Sequence, residues 1–161
     1  VAFSVLKHGL SALVMLALVA PLALAVKPTR EEYADRVEPI CKVNTEANAR
    51  ILKGARAMVR AGRLKAASSR FNRAALAFAK AVKQLKAVPR PAEDRAQLAK
   101  WLGYLDAGRS YLAKIGKALA ADEKPEAARE SIRLSHNSEL ANFAVLGFGF
   151  VYCHIDPSKF S

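Results

Sequence analysis

The sequence predicts an all-α protein: an antiparallel up-and-down four-helix bundle that follows an N-terminal signal peptide and is closed by one disulfide. Three observations carry this reading. First, apolar residues recur at heptad spacing through the middle of the chain, at Leu64, Phe71, Phe78 and Leu85 and again at Leu98, Leu105, Leu112 and Leu119. That spacing lays a stripe along one face of a helix. Second, sustained period-2 alternation is missing, with Phe148, Phe150 and Tyr152 in the tail as its one local trace. Third, the only two cysteines, Cys41 and Cys153, lie near the start of the first helix and just past the end of the last. In an up-and-down bundle those two places share a pole.

The length of 161 residues suits one domain. Residues 1–25 read as an address: Lys7 and His8 are basic, an apolar run follows from Leu10 to Val19, and Pro21 breaks it. Ala23-Leu24-Ala25 then puts small residues where a signal peptidase cuts. The competing reading is an uncleaved anchor, because Leu10–Val26 is 17 residues, the lower limit for a span. Cleavage leaves residues 26–161 as the domain.

Four helices are expected in it. Thr29 with Glu32 three residues on is a capping box. A first helix over about 30–61 follows, with Tyr33, Val37, Ile40, Asn44, Ala47, Ile51 and Met58 on one face. Pro39 in its interior removes a hydrogen bond and crowds the preceding turn, so a kink or restart is expected between Asp35 and Pro39. The second helix, 64–87, stops at Pro89-Arg-Pro91; the third, 92–121, carries Trp101, Gly108 and Ile115 between its leucines. The fourth, 125–147, opens on Pro125 and runs through Ala128, Ile132, His136, Phe143 and Leu146. An irregular tail fills 148–161. Trp101, Phe71, Phe78, Leu105, Leu112, Ile115 and Phe143 are the expected core.

Export settles how the cysteines read. Outside the cytosol two cysteines pair, and neither a C-x-x-C nor a cluster of further ligands argues for redox or metal chemistry. Cys41–Cys153 is therefore expected as a structural disulfide. The residues Tyr33-Ala-Asp35, Ile40-Cys41 and Asn44, with the closing Ala141-Asn142-x-Ala144-x-Leu146-Gly147-Phe148 and a cysteine, resemble a group of small exported or lipid-anchored proteins of high-GC Gram-positive bacteria. The alanine content, 32 of 161 residues, fits such a genome. The resemblance covers the two ends of the mature chain and implies a disulfide-closed helical bundle with no catalytic role. This chain differs from many of the group in lacking a lipidation cysteine and in being strongly basic.

The charge is uneven. The whole chain carries +12, yet residues 42–90 alone hold 13 basic residues and one acidic residue, Glu46. Residues 91–161 balance at nine of each. At 100° per residue, Lys42, Lys53, Arg56, Arg60 and Arg63 fall within an arc of about 80° on the first helix, and Lys65, Arg73, Lys80, Lys83 and Arg90 within about 100° on the second. Such stripes suit an anionic lipid surface or a cell-wall polymer, through Lys53, Arg56, Arg60, Arg63, Arg73, Lys80 and Lys83. Nucleic acid is disfavoured, because stacking needs aromatics among the basic residues and Phe71 and Phe78 fall on the core stripe.

Catalytic and cofactor motifs do not assemble. His136 follows Arg133 rather than a glutamate at the Glu-x-x-His spacing of di-iron bundles. Gly147-Phe-Gly149 lacks the Lys and Ser/Thr of a phosphate loop. The one polar cluster near a core stripe is His136, Asn137, Glu139 and Asn142, read either as a helix-register layer or as a small-ligand or proton-handling site around His136 and Glu139. The sequence thus predicts a non-catalytic, exported, envelope-associated binding or scaffold module without cofactor or metal. Its alternative is a membrane-anchored extracytoplasmic spacer.

Overall fold

The computed structural model describes residues 27–156, so the 1–25 segment lies outside the described residues. Five helices follow one another: α1 Arg30–Leu52, α2 Ala55–Arg60, α3 Leu64–Ala87, α4 Arg95–Ala120 and α5 Lys124–Ala144. No strand occurs among the described residues, and 148–156 is irregular.

The capping box forms in full. The Glu32 N–H donates to Thr29 Oγ1 at 3.2 Å and the Thr29 N–H donates to Glu32 Oε2 at 3.0 Å. No restart occurs near Pro39: α1 is one continuous helix from Arg30 to Leu52. Pro39 is exposed, so its ring faces solvent rather than a packed neighbour. The helix expected over 30–61 divides later, at Lys53–Gly54, into α1 and α2. Gly54 adopts a left-handed φ of 77° that side chains disfavour. The freed carbonyls at the end of α1 find a donor, since Arg70 Nη1 bonds Ile51 O at 3.0 Å and Lys53 O at 2.8 Å.

The packing is a chain of neighbours. α3 packs on α1, α2 and α4, and α5 packs on α4; α1 and α5 make no comparable contact. Near the beginning of α3, the Ser68 hydroxyl donates to Gly116 O at 2.7 Å, near the end of α4. At the other end, Val82 and Leu85 cluster with Leu98 and Trp101. Two glycines of α4 sit in close quarters: a Cβ at Gly116 would collide with Asn72 Oδ1 at 2.2 Å, and one at Gly108 would press tightly on a Phe78 ring carbon at 3.3 Å.

Of the expected core, Trp101, Leu105, Leu112 and Ile115 are buried, and Phe71 and Phe78 pack partly buried against the clusters. Phe143 is not core: it is 73% exposed, with Ile132 and Leu146 likewise outside. The inward face of α5 is built from Ala127, Glu130, Asn137, Ser138, Ala141 and Ala144, with Glu130 paired to Arg133. The heptad-like set of large residues on α5 is a real helix face, but it faces solvent.

Two outcomes test this core. Leu105→Ala is expected to cost about 2–5 kcal/mol in urea unfolding, as for other buried leucines. Tyr33 is fully buried with no partner for its hydroxyl, and burial pushes its pKa up from 10.0 to about 12. Its folded form holds the proton longer than its unfolded form. The associated stability, on the order of 2–3 kcal/mol, is therefore present below pH 10 and lost as pH climbs toward 12. Tyr33→Phe should leave neutral-pH stability equal or higher. It should also flatten the alkaline decline, read from urea midpoints on either side of pH 10.

Candidate functional site

α1 and α5 are joined less by packing than by the tail. Cys41 on α1 and Cys153 in the tail stand at bonding distance, S–S 2.05 Å, with Cα atoms 5.0 Å apart. One turn before Cys41, the Glu38 carboxylate accepts three successive backbone N–H groups, from Val151 at 3.1 Å, Tyr152 at 2.8 Å and Cys153 at 3.1 Å. From α5, Asn142 both donates to Ile155 O and accepts from Ile155 N–H, each at 2.8 Å. The tail thus forms a clasp between α1 and α5. Below it, Arg30 forks onto the buried Asp94 carboxylate at 2.6 and 2.9 Å and lies 4.7 Å over the Phe148 ring. That pairing fixes the start of α1 to the start of α4.

With α1 held away from α5, a groove of about 430 Å³ opens between them. Its floor is α3 and α4, its walls are α1 with α2 on one side and α5 on the other, and the clasp covers one end through Tyr152, Cys153 and Ile155. Along α4 the lining runs from Trp101 to Leu119, roughly 27 Å at helical rise. The floor is apolar, with Leu85, Leu105, Leu112 and Ile115. The walls add Asn44, Asn48, Ser135 and Asn137. Asn137 Nδ2 is engaged with Tyr104 O at 2.8 Å. Asn48 donates to Asn44 Oδ1 at 2.9 Å, but Asn48 Oδ1 and the Trp101 ring N–H are buried without partners. Three lining side chains are charged: Arg56, Arg60 and Lys124, all cationic, all at the end away from the clasp.

The seven basic residues singled out from sequence are all exposed. Lys53 caps the end of α1, Arg56 and Arg60 lie on α2, Arg63 precedes α3, and Arg73, Lys80 and Lys83 lie on α3. The breaks at Gly54 and Gly62 place the first stripe on successive elements, so it is not one straight arc. Among the described residues none of the seven has a salt-bridge partner. The pairs that form in this region use other cations, Arg50 with Glu46 and Lys86 with Asp106.

The polar cluster of α5 divides. Asn137 and Asn142 turn inward to the bonds given above. His136 and Glu139 are exposed, 3.9 Å apart, and line no part of the groove. Among the described residues no three His, Cys, Asp or Glu side chains gather as metal ligands. Glu38 and Asp94 carried no sequence signal of their roles, because each acts on a partner distant in the chain. Compared with family models, curated proteins and solved structures, the chain matches none.

The clasp has a direct test. Cys153→Ser should lower stability by at most about 4–5 kcal/mol, the chain-entropy value for a loop of this length. Glu38→Ala, with the disulfide intact, should strip hydrogen-exchange protection from the amides of Val151, Tyr152 and Cys153. The amides of α3 and α4 should remain protected.

Proposed function

We propose that this chain is a non-catalytic binding or scaffold module of the cell envelope, exported by a signal peptide cut near residue 25 and folded as an antiparallel up-and-down bundle. The start-to-end pairings of α3 with α4 support that topology, and the cysteine pair fits an oxidising compartment. Its working surface is the basic hairpin of α1, α2 and α3. The observation that carries this reading is the set of seven exposed cations with no carboxylate partner, Lys53, Arg56, Arg60, Arg63, Arg73, Lys80 and Lys83, in a segment with one acidic residue. A face that served only solubility would be expected to mix both signs. Its partner is dense negative charge: an anionic lipid surface or an anionic wall polymer. Nucleic acid fits less well, because Phe71 and Phe78 pack inward and leave no exposed ring among these cations for a base to stack on. The membrane-anchored spacer is the second reading, resting on the apolar run Leu10–Val26.

Co-sedimentation with anionic and neutral vesicles and with purified wall polymer, across a salt series, tests the proposal. Binding to anionic material should fall steeply as the Debye length shrinks from about 10 Å near 0.1 M salt to about 3 Å at 1 M. The substitution set R73Q, K80Q and K83Q should weaken it without changing the fold. Equal binding to neutral and anionic vesicles, or none at low salt, would reduce the basic face to a solubility device.

A further inference from the structure

The groove suggests a second role, which shares Arg56 and Arg60 with the basic face but not its α3 cations. We propose that it binds a single-chain anionic amphiphile, such as a long-chain fatty carboxylate, with the acyl chain along the α3–α4 floor and the acid group at Arg56, Arg60 and Lys124.

Four features converge on this ligand. The volume of about 430 Å³ lies within the ~300–1,000 Å³ of small-molecule sites. The shape is long and narrow: roughly 27 Å of α4 lines it, whereas one lipid chain spans about half of a ~30 Å bilayer core. A single chain with its headgroup therefore fits lengthwise, and a compact ring system would leave most of the floor bare. The floor itself is leucine, isoleucine and phenylalanine, an apolar lining that accepts methylenes in preference to polar groups.

The charges then orient the ligand. No carboxylate lines the groove, and its three cations share one end. The nearby Glu126 is held outside by Arg129, the buried Glu130 does not line the groove and is paired with Arg133, and Asp122 and Glu123 lie in the exposed turn before α5. The opposite end is closed by Tyr152, Cys153 and Ile155 and presents no cation to an acid group. An extended peptide fits poorly, because the groove supplies no ladder of free backbone groups between its helical walls.

Trp101 is the sole tryptophan and lines the groove toward the clasp, so its fluorescence reports occupancy and direction. The full oxidised protein, free of vesicles, is titrated below micelle-forming concentrations with fatty carboxylates brominated near the methyl end or near the acid. Saturable quenching at one ligand per protein is expected, stronger for bromine near the methyl end. The set R56Q, R60Q and K124Q should weaken carboxylate binding about tenfold or more, the worth of a charge-assisted contact. It should leave the matching fatty alcohol within about twofold of its original affinity. Ser135→Phe, at a half-buried wall position, should block both ligands while circular dichroism stays unchanged. The α3 set R73Q, K80Q and K83Q should leave ligand binding intact, which separates this proposal from the surface-binding one. Absence of saturable quenching, equal affinity for acid and alcohol, or stronger quenching from bromine near the acid would overturn it. A dimer in sedimentation whose groove takes up no fatty carboxylate would also overturn it, a second copy being then the occupant.

Discussion

The clasp at the tail is the constraint on which the rest of the architecture depends. Each long helix except the outer pair rests on its chain neighbours, so α1 and α5 are the two free edges of a row. What relates them is a covalent bond at Cys41–Cys153 and two polar anchors, Glu38 on α1 and Asn142 on α5, that grip the same few tail residues. Both anchors satisfy backbone groups that an irregular segment would otherwise leave to water. A tail tied at both sides holds a distance as well as a contact. It keeps α1 close enough to α5 to share a cavity and too far to fill it.

The inner face of α5 completes that outcome. Small and polar side chains such as Ala127, Ser138 and Ala141 let α5 lie close on α4, but they project too little volume to reach α1. A bundle with leucines at those positions would have closed its core. Of the large apolar residues of α5, Ile132 and Phe143 face outside, while Leu134 packs half-buried against the core. The groove is therefore a consequence of which residues point inward, and it runs along buried core side chains of α3 and α4.

Much of the helical plan was legible in the sequence. The heptads of α3 and α4, the Thr29–Glu32 box and the pairing of two distant cysteines all follow from local spacing and from elementary topology. The misses have physical causes. Pro39 suggested a restart because a proline interior to a helix forfeits a hydrogen bond, yet α1 continues through it. Gly54 makes the real break, supported by Arg70 reaching back from α3, and no local pattern reveals that long-range donor. On α5, periodicity identified a face but could not say which side of the helix is dry, so Phe143 was placed inside. The groove was invisible for a deeper reason: it is a deficit of side-chain volume between residues far apart in the chain, and a hydropathy pattern registers what is present at each position rather than what fails to meet across a gap.

The separation of 112 residues between the two cysteines places nearly all of the described chain inside one covalent ring. A single backbone cut anywhere between them, for instance at the exposed Lys53–Gly54 break, leaves both fragments joined. Cleavage at that junction would turn the loop into two linked chains without releasing either groove wall, and reduction of the bond would then be required to part them. The molecule is thus built so that one protease nick, which would dismantle an open helical row, leaves its two edges tethered.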